Sequence, residues 1–170
     1  MRTDCALNII LIGMPGAGKS TVGVILAKRL GYHFVDTDLL IQAREQQRLQ
    51  EIICTRGMAA FKALESSILC DLAASHTVIA TGGSAVYSPA AMQHLQHSGT
   101  IVFLDITLTE LQRRINDMDT RGLVIDPDED FVQLFEHRRP LYQKYAEVTI
   151  DGTAMSVESV AASIERAVCR

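Results

Sequence analysis

The chain contains no basic stretch interleaved with aromatic residues, no apolar run near the ~18 residues of a membrane span, no internal repeat and no low-complexity tract. Each absence removes a class of function. With a net charge of −4 and one plausible basic cluster, Arg113, Arg114 and Arg121, nucleic acid finds nothing to grip, and neither it nor a membrane is an expected partner. The four cysteines, Cys5, Cys54, Cys70 and Cys169, lack CxxC spacing and nearby histidine pairs. That pattern suits reduced thiols better than zinc ligands or a disulfide framework, and it points to the cytoplasm. Arg2 followed by apolar residues imitates the start of a signal peptide, but the apolar run is six residues long and leads directly into a glycine-rich loop. At 170 residues and 48% hydrophobic content, one well-buried core is expected, in a single domain spanning 1–170 and in a monomeric chain.

What is present begins with residues 13 to 20, GMPGAGKS, a complete G-x-x-x-x-G-K-S phosphate-binding loop preceded by the strand-like run Leu7 to Ile12. Gly13, Gly16 and Gly18 let the backbone fold tightly and aim its N–H groups inward, and the helix starting near Lys19 adds its positive dipole end. A triphosphate is the expected occupant, so the chain should bind ATP or GTP. Ala17, Ser20 and Thr21 complete the nucleotide-binding set; Lys19 should reach the β and γ phosphates, and the Ser20 hydroxyl should coordinate Mg²⁺.

Further β-rich runs fall at His33 to Val35, Thr77 to Ala80, Thr100 to Leu104 and Glu147 to Ile150, with helical patterns between them. Alternation of this kind implies an α/β fold with a parallel sheet covered on both faces. The first helix carries Val22, Leu26 and Leu30 on one stripe and stops at Gly31, with Lys28 and Arg29 in its last turn. Helix starts are read at Ser88-Pro89, at Thr107 with Glu110, and at Asp126-Pro127-Asp128-Glu129; a last helix is read over roughly 156 to 168. Residues 39 to 75 hold about three helical segments, more than one crossover needs, and are read as a substrate-covering insertion. Residues 117 to 128 carry Gly, Pro and four Asp without period, as a mobile lid would.

Asp36-Thr37-Asp38 follows the second strand, and residues two apart in extended backbone face the same side. Paired carboxylates beside a phosphate loop suit a metal holder, Asp36, and a base, Asp38; a helix cap at this point is a compatible second role. Thr81-Gly82-Gly83-Ser84 follows the third strand, at the edge where open α/β sheets bind ligands, although a plain tight turn would read the same way. Arg138 stands just ahead of Arg139-Pro140, and the proline is expected to disturb the helix so that the guanidinium projects from a break. Arg121 beside Gly122 suits an arginine delivered on lid closure.

These residues, with Phe34-Val35 before the aspartates, Phe61-Lys62 with Glu65, and Arg138-Arg139-Pro140-Leu141-Tyr142, resemble the shikimate kinase family of the nucleoside-monophosphate-kinase-like P-loop fold over essentially the whole chain. The resemblance implies a three-layer α/β/α P-loop kinase fold with a five-stranded parallel sheet, a helical substrate-binding region and a lid. It also implies ATP-dependent phosphorylation of shikimate to shikimate 3-phosphate, for aromatic amino-acid biosynthesis. Carried onto this chain, Asp38 would bind substrate hydroxyls and act as base, Asp36 would hold Mg²⁺ through water, and Gly82 and Gly83 would offer N–H groups to substrate. Arg138 would bind its carboxylate, Arg121 would neutralise the transferring phosphoryl group, and Arg114 would stack on adenine, unless Arg113 serves instead.

Three positions depart from the family pattern. Lys62 replaces an arginine, exchanging a bidentate fork for a point charge; Ser84 replaces a third glycine; and Gly122 replaces a lid proline. Lys62 and Ser84 are therefore counted with the substrate site. A same-fold kinase acting on gluconate or homoserine is the alternative substrate reading, and an ATP-binding regulator without turnover is the alternative class. Intact Asp38 and Arg121 argue against the regulator, and the scarcity of arginine between residues 39 and 75 argues against a nucleoside monophosphate kinase.

Overall fold

The computed structural model describes residues 8–117 and 130–169. Strands β1 (Asn8–Ile12), β2 (His33–Asp36), β3 (Thr77–Ala80), β4 (Thr100–Asp105) and β5 (Val148–Asp151) form one sheet in the order β2-β3-β1-β4-β5, every pair parallel. The expected five-stranded parallel sheet is thus present, with strand boundaries shifted by at most one residue. β1 and β3 are buried at every position and β4 at its four central ones, which is why they read as continuous apolar runs. The edge strands β2 and β5 are only partly buried.

The helices are α1 (Lys19–Leu30), α2 (Thr37–Glu45), α3 (Leu49–Arg56), α4 (Met58–Cys70), α5 (Pro89–Ser98), α6 (Leu108–Asp117), α7 (Phe131–Tyr145) and α8 (Val157–Val168), with a 3₁₀ turn at Ala85–Tyr87. The β1–α1–β2 connection runs toward one sheet edge and β3–α5–β4 toward the other, so right-handed crossovers place α1 and α5 on opposite faces. Because all strands are parallel, the segments that follow them, 13–20, 36–38 and 81–84, emerge at one edge.

Local signals explain most helix ends. α1 stops at Gly31 in the left-handed conformation, φ 69°, and Ser88 caps α5 by accepting the Ala91 N–H, with Pro89 in the first turn. α7 is capped by Asp130 with Gln133 closing the box, and the helix start read at 126–129 lies outside the described residues. At α6, Glu110 pairs with Arg113 and Arg114 and does not close a box on Thr107, whose N–H goes to Thr153 Oγ1. The expected break before Pro140 is also absent: α7 runs unbroken through it, and Leu134, Arg138 and Tyr142 form one buried face at four-residue spacing. The missing N–H costs one helical hydrogen bond, but the packed face on either side of the proline holds the helix together.

The expected insertion is α2, α3 and α4, and it carries its own small core of Ile41, Leu49, Ile52, Phe61 and Ile68. Of the expected lid, residues 118–128, Arg121 and Gly122 among them, lie outside the described residues. Among those described, no helix is long and apolar enough to cross a membrane. Cys54 and Cys70 are free thiols as expected, but Cys169 is disulfide-bonded, against the expectation of reduced thiols throughout. A cysteine's state depends on which residue the fold brings beside it, and spacing along the chain does not display that.

At the opposite edge of the sheet, the buried Asn8 side chain donates to Ala74 O and Ser98 O, both at 2.9 Å, and accepts from Thr77 N–H at 3.1 Å. It ties together the segments that carry Ala74, Thr77 and Ser98. Asn8→Ala should therefore lower stability by about 3 kcal/mol in urea unfolding while leaving nucleotide binding intact. A loss below about 1 kcal/mol would show that water replaces the amide.

Candidate active site

The phosphate loop leaves β1 through Gly13 and enters α1 through Gly18, with Gly16 and Gly18 at φ 81° and 90°, a region closed to most side chains. Gly18 caps α1 without any side-chain acceptor, which leaves the first-turn N–H groups of Lys19, Ser20 and Thr21 without a capping partner among the described residues. Lys19, 8% exposed, donates to Gly13 O at 2.8 Å and Met14 O at 3.0 Å. Burial lowers its ammonium to a pKa of about 8, against the pull of Asp38. An uncapped helix start beside a desolvated cation fits phosphate, because incoming oxygens would satisfy groups the protein leaves open.

Ser20 and Asp36, the expected metal pair, meet: Ser20 Oγ donates to Asp36 Oδ2 at 2.6 Å. Asp36 is also the α2 cap, its Oδ1 accepting from Asp38 and Leu39 N–H, so one carboxylate serves both roles through different oxygens. Asp38 lies inside the helix rather than two strand positions on. The two carboxylates nevertheless face the same cation, Lys19. Burial, then the charge of Asp36, raises the Asp38 pKa, while Lys19 opposes the shift. One hydroxyl and one carboxylate, both hard oxygen donors, fit Mg²⁺, which keeps most of its waters.

The glycine loop brings the remaining groups together. A Cβ at Gly82 would collide with Glu65 Oε1 and lie 2.8 Å from Asp38 Oδ1; one at Gly83 would lie 2.8 Å from Arg138 Nη1 and 3.1 Å from Pro15. Only residues without side chains allow this convergence. Of the two expected N–H donors, that of Gly82 is already given to Thr37 Oγ1 at 3.1 Å, so the role expected of Gly82 is corrected, and Gly83 keeps its N–H without a partner among the described residues. Tyr142, read as a packing residue, stacks on Phe103 at 5.2 Å and also donates its hydroxyl to Gly83 O at 2.7 Å.

Ser84 has found a partner in the buried Glu65, donating to its Oε2, while Glu65 Oε1 is buried without any hydrogen bond among the described residues. Burial pushes the Glu65 pKa up to about 7, opposed by the Ser84 bond and reinforced by Asp38. Arg138 is 3% exposed and has no carboxylate within ion-pair distance among the described residues; its Nε donates to Tyr87 Oη at 3.2 Å. Next to it, Arg139 grips Asp105 with two bonds, 3.1 and 2.7 Å, which locks α7 to the end of β4 and so places Arg138. Lys62 stands over the Tyr87 ring, 4.6 Å from its centroid.

A separate recess of about 90 Å³ beside the phosphate loop is lined by Arg114 and Met155 together with Val22, Leu104 and Ile106. Arg114 is held there by Glu110 at 2.8 Å and by Ala17 O at 3.4 Å, whereas Arg113 is the more exposed of the two. Of the two arginines, Arg114 lines the recess beside the phosphate loop. Sequence reading missed Thr37, Glu65, Tyr87 and Met155 as site residues. Glu65 was visible as a motif letter, and Thr37 sat between the two aspartates; Tyr87 and Met155 gave no signal, because their contacts join separate elements.

A parallel sheet with the phosphate loop after its central strand, helices on both faces and a helical insertion beside the loop defines a P-loop kinase. The family model described as "Shikimate kinase" matches residues 15–169. The shikimate kinase of Rippkaea orientalis is 43% identical over 147 residues, covering 85% of this chain and 78% of its own. A solved shikimate kinase from Acinetobacter baumannii in complex with shikimate superposes with a TM-score of 0.86 at 31% identity, over 95% of this chain and 92% of its own. That of Aquifex aeolicus gives 0.80 at 33% identity, over 96% and 100%. The chain belongs to the shikimate kinase family, and it is a small-molecule kinase.

The folded protein holds a proton on Glu65 up to about pH 7, whereas the ordinary carboxyl loses it near 4.5. The native state thus binds the extra proton between those values, and stability falls as pH rises through that window. Glu65→Gln should gain on the parent protein by up to about 3 kcal/mol between pH 5 and 8, with no difference below pH 4.5. Thermal melts of both proteins across that range read it, and a pH-independent difference would contradict a neutral Glu65.

Proposed function

We propose that this chain transfers the γ-phosphoryl group of ATP to a ring hydroxyl of shikimate, forming shikimate 3-phosphate, with Mg²⁺ as cofactor. The observation that carries the substrate class is Arg138: a guanidinium 3% exposed and without a carboxylate partner among the described residues is costly unless an anion completes it. The shikimate carboxylate is such an anion, with Lys62 nearby as a second cation on the same Tyr87 ring.

In this reading Asp38 accepts the proton of the attacking hydroxyl as its oxygen bonds to the γ-phosphorus and the bond to the β-phosphate oxygen breaks, releasing ADP. Its raised pKa makes it a stronger base than an exposed aspartate. Lys19 and the first-turn N–H groups of Lys19, Ser20 and Thr21 bear the phosphate charge, and the Gly83 N–H orients a substrate hydroxyl. Ser20 and Asp36 would hold Mg²⁺, which neutralises phosphate charge when bound. Arg121 is assigned to the transferring phosphoryl group and Arg114 to the face of adenine, opposite Met155. We read the enzyme as a cytoplasmic monomer; large apolar side chains exposed among the described residues are few, Val24, Leu39 and Leu40.

ADP release with Mg²⁺ and ATP should appear with shikimate and not with gluconate, homoserine, a nucleoside monophosphate or no acceptor. Turnover with another acceptor alone would overturn the substrate. Asp38→Asn should lower kcat with shikimate by about 10²–10⁴-fold while changing the KM for ATP less than threefold. Unchanged kcat would remove Asp38 as the base.

A further inference from the structure

Lys62 and Glu65 lie three residues apart on α4, the spacing at which a helical ion pair forms, yet they do not pair. Glu65 turns inward and takes the hydroxyl of Ser84 instead. Lys62, released from that partner, places its ammonium 4.6 Å from the centroid of the Tyr87 ring. Arg138, arriving from α7, lies over the same ring at 5.2 Å, with its Nε bonded to the Tyr87 hydroxyl. Two cations from different helices thus share one aromatic ring, and neither has a carboxylate within ion-pair distance among the described residues.

Two like charges gathered on one ring repel each other. The ring quadrupole and the hydroxyl acceptor offset part of that repulsion, and an anion between the cations would remove the rest. Tyr87 also sets direction. Because it occupies Nε, the other end of the guanidinium is turned toward Gly83, where a Cβ would lie 2.8 Å from Nη1. Lys62 by itself is a long, flexible point charge with much rotamer entropy to lose, and the ring restricts where its ammonium rests.

Resting on the reading of the acceptor as shikimate, we propose that Tyr87 is a specificity-determining residue for the acceptor's carboxylate: it gathers Lys62 and Arg138 into one anion-binding pair and so supplies the directionality that a lone lysine lacks. It acts through those cations and is a positioning residue. The Ser84–Glu65 contact belongs to the same arrangement, since it engages the carboxyl that is spaced along α4 to pair with Lys62.

The test compares shikimate with its methyl ester, which has the same ring and hydroxyls but no negative charge, in the full-length parent protein, Tyr87→Leu and Tyr87→Phe. Tyr87→Leu should raise the KM for shikimate about tenfold with kcat within twofold, leave the KM for ATP and the ester unchanged, and reduce the preference for acid over ester about tenfold. Tyr87→Phe keeps the ring and should lose less than threefold of that preference. In a Lys62→Met background, Tyr87→Leu should cost less than it does alone, which a purely structural role would not produce. Equal weakening of acid and ester, or a preference unchanged in Tyr87→Leu, would overturn the role of Tyr87 while the parent protein still turned over shikimate. A parent protein that turned over other acceptors and not shikimate would overturn the substrate reading and this inference together.

Discussion

Two adjacent residues without side chains, Gly82 and Gly83, set how closely the charged groups of the site approach one another. Glu65 and Asp38 crowd one of them, Arg138 and Pro15 the other, and a methyl group at either position would force them apart. Their place in space comes from further back. β3 lies between β1 and β2 in the sheet, so the loop that leaves it emerges between the phosphate loop and the aspartate pair. Thr37 and Tyr142 then pin the glycines from two sides, through the Gly82 N–H and the Gly83 carbonyl. Strand order thus becomes a distance between functional groups.

That convergence gathers charges that the described residues of the protein do not pair. Lys19 and Arg138 are buried cations without ion pairs among the described residues, and the pKa values of Asp38 and Glu65 are raised because burial disfavours their charged forms. A protein selected for stability alone would replace such groups with apolar ones. Here each mismatch has a complement in the reaction assigned to the site: phosphate for Lys19, a carboxylate for Arg138, a departing hydroxyl proton for Asp38. The surrounding fold absorbs the cost through two separate cores and through anchors such as the bidentate Arg139–Asp105 pair.

The departures at Lys62 and Ser84 look independent along the chain and form one arrangement in space. A hydroxyl at position 84 bonds the buried Glu65, and Lys62, three residues earlier on α4, rests on Tyr87 beside Arg138. Reading Lys62 as a weakened clamp considers that position alone. In the folded protein its charge is aimed by a neighbour 25 positions further along the chain.

The sequence by itself determined the features written in local periodicity and local chemistry. Apolar runs marked β1, β3 and β4 because buried parallel strands are predominantly apolar, Gly31 and Ser88 marked helix ends because the backbone there favours such residues, and GMPGAGKS marked the phosphate loop because its glycines allow the tight turn. The pairing of Ser20 with Asp36 was likewise foreshadowed by position and residue type, whereas Arg138 lies on a continuous buried helix face and not at the expected break. Only the tertiary structure decided which oxygen of Asp36 caps and which meets Ser20, that α7 continues through Pro140, that Gly82 spends its N–H on Thr37, and that Arg114 lines the recess beside the phosphate loop. These are contacts between elements far apart in the chain. They depend on distances that strand order and helix packing establish, and no local pattern of residue types encodes those distances.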